Sequence, residues 1–151
     1  MMNLASAVTK TKSRQRLASD PNTSAWVSAS AGTGKTKALT DRTLRLLLGG
    51  TPPQQILCLT FTRAAAAEMA NRLNQRLVSW AIVNEEQLVH DLEELTGVSA
   101  DKPAQARARC LLARVLDAPG GMRIQTIHSF CETLLGRFPF EANITPHFSV
   151  I

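Results

Sequence analysis

Apolar and polar positions along this chain switch between two periods. Ala25 to Ala29 (AWVSA) is a short apolar run ending in glycine-rich punctuation, which predicts a strand running into a turn. Leu39 to Leu48 carries Leu39, Leu46 and Leu47 at helical spacing and stops at Gly49-Gly50, a C-terminal helix signal. Pro52-Pro53 then impose an extended connection. Ile56 to Thr62 (ILCLTFT) has the unbroken apolar character of a buried strand. Ala64 to Leu77 predicts a helix with Ala66, Met69, Ala70, Leu73 and Leu77 on one side and a Glu68–Arg72 pair on the other. Gln87 to Leu95 reads as a short surface helix. Ala104 to Leu116 reads as another, entered through Pro103 and ended by Pro119-Gly120-Gly121. Met122 to Ile127 is a third strand candidate, and Ser129 to Arg137 a last helix before Pro139. Strands joined by helical crossovers predict an α/β fold, a parallel sheet with helices on its faces. There is no internal repeat, and no low-complexity tract beyond Ala64 to Ala67.

Composition narrows the class. With 151 residues, 44% hydrophobic and 19% charged, the chain is globular, one domain or part of one, and not disordered or fibrous. No apolar stretch approaches the roughly 20 residues that cross a bilayer, and Met1 to Gln15 has no apolar segment of the secretory kind. Cys58, Cys110 and Cys131 form no CxxC pair and no even framework, which points to reduced thiols in the cytoplasm. The net charge of +5 is unevenly spread. Residues 85–101 hold six carboxylates and no Lys or Arg, whereas residues 1–84 hold 11 Lys/Arg against three Asp/Glu. A basic body suits a polyanion partner, though a solvated basic surface explains the same charge.

The sharpest chemical signal is Ala29-Ser30-Ala31-Gly32-Thr33-Gly34-Lys35-Thr36, which fits GxxxxGK[ST] everywhere but its first position. Gly32 and Gly34 let the backbone curl so that successive N–H groups point at phosphates. Lys35 would reach the β- and γ-phosphates, and the Thr36 hydroxyl would ligate Mg²⁺. The helix that follows adds its positive N-terminal end. A strand before the loop and a helix after it complete the expected context. By itself the loop specifies a nucleotide and not the work done with it, since kinases, GTPases, transporters and motors share it. His90, His128 and His147 have no metal-ligand spacing with one another.

Three strings in order narrow the class further. Ser24 to Thr36 (SAWVSASAGTGKT), Ile56 to Met69 (ILCLTFTRAAAAEM) and Ile124 to Cys131 (IQTIHSFC) resemble motifs I, Ia and Ib of the UvrD/Rep-like superfamily 1 DNA helicases. Ala commonly opens the phosphate loop in that family, so Ala29 agrees with the resemblance. The wording, including the tail LLGRFPFEANITPHF, looks most like the AddA family of helicase–nuclease subunits, and the likeness runs from Gln15 to the C-terminus.

The resemblance implies a RecA-like phosphate-loop fold, use of ATP with Mg²⁺, and a role in double-strand-break repair. It also implies single-stranded DNA and duplex ends as partners, and an AddB-like partner subunit. It divides the chain into a Q-motif region (14–23), the phosphate loop (29–36), motif Ia (57–69), a helical insert (85–117) and motif Ib (124–131). Gln15, with Pro21 behind it, falls where the family reads adenine, and a side-chain amide can both donate to N7 and accept from the N6 amine. Thr60, Phe61, Thr62 and Arg63 fall in motif Ia, where hydroxyls and an arginine hold backbone phosphates and an aromatic face stacks on a base. Thr126, His128 and Ser129 fall in motif Ib, again as contacts to single-stranded DNA. Without the resemblance, Gln15 reads as a surface residue, Phe61 as core and His128 as structural.

No acidic Walker B pair follows an apolar strand; Leu111 to Asp117 is the nearest lookalike, but Arg114 sits inside a helical pattern there. The expectation is therefore the N-terminal, incomplete part of a helicase motor domain, inactive as an ATPase alone. The alternatives are a phosphate-loop enzyme acting on a small molecule and a nucleotide-binding module without turnover.

Overall fold

The computed structural model describes residues 4–28, 30, 32, 34–145 and 148, with side chains from residue 11 onward in that set. Its elements run α1 (Leu4–Ala18), α2 (Lys35–Leu48), a 3₁₀ turn (Pro53–Gln55), β1 (Leu57–Thr60), α3 (Arg63–Ile82), α4 (Glu85–Thr96), α5 (Lys102–Leu116), β2 (Arg123–Thr126) and α6 (Ile127–Arg137).

Each of the later helices begins on a side chain that suits its role. Thr62 accepts a hydrogen bond from the Ala65 N–H ahead of α3, Asn84 from Gln87 ahead of α4, and Asp101 from Ala104 ahead of α5. Thr126 caps α6 in the same way through the Ser129 N–H. These bonds satisfy backbone donors that a helix start leaves without intrahelical partners. Pro103 sits in the first turn of α5, where its missing N–H costs nothing.

The core is assembled on α3. Met69, Leu73, Leu77 and Trp80 recur at helical spacing and are buried against α2 through Leu44 and Leu47 and against α5 through Ala108, Leu111 and Val115. Leu88, Leu92 and Leu95 of α4 close the cluster. Trp80 anchors it. Arg76 lies over the indole with its guanidinium carbon 5.7 Å from the ring centre, and Arg109 donates to the Trp80 carbonyl at 3.0 Å. The indole N–H has no hydrogen-bond partner among the described residues.

β1 and β2 pair in parallel, Leu57 with Arg123 through Thr60 with Thr126, and α3, α4 and α5 form the crossover between them. Cys58 and Ile124 pack against the core, whereas Leu57 and Leu59 stay exposed on the other face.

Several expectations are corrected. Residues 25–28 form no strand, and Trp26 is 96% exposed. A strand exists only through hydrogen bonds to a neighbour, and no described segment pairs with this one. The ILCLTFT run is half-covered rather than buried, because the sheet is clothed by helices on one side. Leu39 is exposed, and Ala38, Thr40, Thr43 and Leu44 take the inward face of α2 instead. α4 is amphipathic and contributes three leucines to the core rather than lying wholly on the surface. α1 carries no sequence signal that predicts it. The rejection of Leu111 to Asp117 as an acidic strand stands, since α5 runs through Leu116. Among the described residues no helix is long and apolar enough to cross a membrane.

Candidate functional site

Ser30, Gly32 and Gly34 precede α2. Gly32 and Gly34 take left-handed backbone angles, with φ of 78° and 89°. Gly34 is also the residue from which α2 starts, and no side chain caps that end. The first turn of α2 carries no acidic residue, so no carboxylate within that turn competes for an anion at its positive end. Lys35 bends back across the turn, and its ammonium donates to the Ser30 carbonyl at 2.6 Å. Thr36 is half-buried one residue later. Ala29, Ala31 and Thr33 lie outside the described residues.

Gln15 reaches this loop from α1. Its Nε2 lies 2.6 Å from the point where a Cβ on Gly34 would be, so Gly34 is needed for the close approach as well as for the backbone angle. α2 itself fixes that arrangement. Arg42 donates to the carbonyls of Asp20 and Thr23 at 2.5 and 2.7 Å, and Arg45 donates to the Arg16 carbonyl at 2.9 Å and the Ser19 hydroxyl at 3.1 Å. Asp20 lies 3.9 Å from the Arg45 guanidinium. The segment around Pro21 is thus tied to the helix that carries Lys35.

A cavity of about 650 Å³ opens between α1 and the loop, with Arg14, Gln15, Trp26, Gly34, Lys35 and Ala38 in its lining. That volume lies in the range of small-molecule sites. Its walls combine an amide, two cations and an aromatic face, which suits a base at one end and phosphates at the other. The donors therefore fit a nucleotide. Among the described residues no three His, Cys, Asp or Glu side chains come together as a metal site. Sequence reasoning misses Arg14 and Trp26. Trp26 is hidden in an expected strand, and Arg14 is overshadowed by its neighbour.

The second group of residues collects at the C-terminal ends of the two strands. The register sets Thr60 directly beside Thr126, so motifs 66 positions apart share one sheet edge. Parallel sheets place ligands at this edge. Phe61 is 84% exposed, which removes the core reading of it, and Thr62 and Arg63 are exposed beside it. His128 is exposed on the first turn of α6. The hydroxyls are partly committed: Thr60 donates to the Thr62 carbonyl at 3.0 Å, while Thr62 accepts from Ala65 and keeps its own proton free to donate. Thr126 and Ser129 share a bond at 3.0 Å, leaving one hydroxyl proton between them. Both strands thus run through a Thr cap into a helix N-terminus.

A mixed α/β scaffold with a small parallel sheet, a glycine turn ahead of a helix and an exposed polar edge defines the class; comparison with known proteins gives the family. Residues 9–151 match the UvrD/REP helicase N-terminal domain, and the chain belongs to that family. It is 33% identical over 141 residues to the AddA subunit of the ATP-dependent helicase/nuclease of Lactobacillus gasseri, an alignment spanning 93% of this chain and 10% of that protein. The same-named protein of Desulforamulus reducens is 33% identical over 132 residues, 85% of this chain and 9% of its own. That of Lactiplantibacillus plantarum is 29% identical over 144 residues, 93% and 10% respectively. The chain spans about a tenth of the length of these curated relatives.

Proposed function

We propose that this chain forms the nucleotide-binding part of an ATP-dependent DNA helicase motor with a phosphate-loop, RecA-like sheet. The protein carrying it is read as an AddA-type helicase–nuclease, translocating 3′→5′ and degrading strands as an exonuclease during recombinational repair of double-strand breaks. Its partners on this reading are single-stranded DNA, duplex ends and an AddB-like protein, and its place is the cytoplasm.

One observation carries the reading: the Gln15 amide rests on Gly34 at a cavity that Lys35 also lines, joining a base reader to a phosphate cradle. Residues 29–36 hold the phosphates through backbone N–H groups and the Lys35 ammonium. The Thr36 hydroxyl would hold Mg²⁺ by way of ATP, and the ion would neutralise charge on the phosphates. Thr60, Phe61, Thr62 and Arg63, with Thr126, His128 and Ser129, grip single-stranded DNA. Phosphoryl transfer also needs groups that position water and offset the charge developing in the transition state. The site residues named in this chain do not include them, so the 151-residue chain alone is expected not to turn over ATP.

The test is ATP hydrolysis by the protein that carries this sequence, with and without single-stranded DNA. Stimulation by DNA, lost in Lys35→Ala, is the expected result. Hydrolysis indifferent to DNA would remove the motor reading and favour a small-molecule enzyme.

A further inference from the structure

The acidic segment 85–101 reads as surface in the sequence, yet side chains of the helix that carries Gln15 reach its second half. Lys12 of α1 lies 3.5 Å from the Glu94 carboxylate of α4. One turn later on α1, the Arg16 side chain lies across Gly97, at the C-terminal end of α4. A Cβ on that glycine would come within 2.9 Å of Nη1 and 3.0 Å of Cδ. The C-terminal end of a helix carries partial negative charge, so a guanidinium there is well placed. Gln15 sits in the same turn of α1 and lines a small crevice together with Lys12, Arg16, Asp41 and Glu94.

α1 is therefore gripped from two sides. α2 holds the Arg16 carbonyl in the last turn of α1 through Arg45, and the chain just beyond α1, at Asp20, through Arg42. α4 holds Lys12 and Arg16, and is itself seated in the core by Leu88, Leu92 and Leu95. The α2 contacts fix where α1 ends, and a helix held only at one end remains able to swing or roll. The α4 contacts fall either side of Gln15 along the helix and oppose that motion. The charges are complementary: Lys12 and Arg16 face a segment of six carboxylates without Lys or Arg.

We infer that Glu94 and Gly97 are positioning residues for base recognition, holding α1 so that the Gln15 amide stays over Gly34. This rests on the reading of Gln15 as the adenine contact. The acidic segment then acts on which nucleotide binds, through α1, without touching it.

The experiment measures, on the protein that carries this chain, the preference for ATP over GTP and the affinity for inorganic tripolyphosphate, which has no base. Glu94→Lys should lower the preference by about fivefold, the most an exposed pair of this kind supports, and leave tripolyphosphate affinity unchanged. The exchanged pair Lys12→Glu/Glu94→Lys should recover it. Gly97→Val, which pushes Arg16 aside, should lower the preference in the same way, and Glu86→Lys, the same charge change elsewhere on α4, should not. Failure of the exchanged pair to recover the preference overturns the inference, as does an equal loss of tripolyphosphate binding. If Gln15→Ala lowers the preference while Glu94→Lys and Gly97→Val do not, the positioning role is overturned and the adenine contact survives. An unchanged preference in Gln15→Ala overturns the adenine contact and this inference with it.

Discussion

Replacing Gly34 with alanine separates two things that the loop asks of one residue. The backbone at Gly34 has φ of 89°, a left-handed conformation that costs an L-residue about 1–2 kcal/mol. The added Cβ would also stand 2.6 Å from Nε2 and 3.6 Å from Cδ of Gln15, and the side-chain amide must swing away. Gly32 has a similar φ of 78°, but a Cβ there meets nothing within 4 Å. Gly32→Ala should therefore lower stability by about 1–2 kcal/mol with no change in the ATP-to-GTP preference. Gly34→Ala should cost a similar amount of stability and also lose the Gln15 contact. A net hydrogen bond is worth about 0.5–1.5 kcal/mol, so the preference for ATP should fall by up to about tenfold. In Gly34→Ala/Gln15→Ala the clash disappears while the backbone cost stays, so the two losses of preference should not add. Urea unfolding measures the first quantity, and competition between ATP and GTP for a fluorescent nucleotide measures the second. Equal preference in Gly34→Ala and Gly32→Ala would refute the account, because only one of the two glycines touches the base reader.

Phe61→Ala and His128→Ala should each weaken binding of single-stranded DNA, by about 1–3 kcal/mol where a stacked base is lost, with DNA-free nucleotide affinity nearly unchanged in a binding titration. Wild-type DNA affinity in both would remove the sheet edge as the contact. Trp80→Ala should destabilise by about 3–5 kcal/mol in urea unfolding, because the ring is fully buried and its removal leaves a cavity in the core. Burial raises the Cys58 thiol above its ordinary value of 9.0, partly opposed by its contact with Thr43. Its contribution to stability is thus complete below about pH 9 and is lost as pH rises through the higher folded value. Alkylation at pH 8 should accordingly mark Cys110 and Cys131, which are exposed, well before Cys58.

The parts of this structure that could be read in advance are those whose signal is local. α5 carries its period, its entry and its stop within a few residues; α3 carries its period, but it runs on to Ile82, five residues past the Leu77 at which the expected helix ends. Gly32 and Gly34 take the left-handed backbone angles that a glycine-rich turn leads one to expect. α1 carries no such signal, being rich in Ser, Thr, Lys and Arg. What holds its C-terminal end comes from Arg42 and Arg45, 22 to 29 positions away. The expected strand at residues 25–29 fails for the opposite reason. Its local pattern suits a strand, but pairing is a non-local fact, and β1 finds β2 some 66 positions on while residues 25–28 find no described neighbour. Leu57 and Leu59 show the same limit: an apolar run says that a strand can be buried on both faces, not that both are covered.

The two groups of candidate residues are not independent, because α2 belongs to both. Its first residue is Lys35, and Arg42 and Arg45 on its outer side hold the chain around Gln15. Leu44 and Leu47 on its inner side are among the most deeply buried residues. Thr43 completes the link: its hydroxyl lies 3.8 Å from the Cys58 sulfur, two residues before Thr60 at the sheet edge. Close-packed interiors do not deform smoothly, so an element held at this many points shifts as a unit with its neighbours or stays where it is. On the proposed reading, a load on Lys35 at one end of α2 would reach Cys58, at the start of β1, through this packed contact. If the proposed nucleotide and DNA residues sat on separate loops, joined only by flexible chain, they would lack any such route. Their attachment to one short helix and the strand beneath it is what a fold needs if occupancy at one site is to bear on grip at the other.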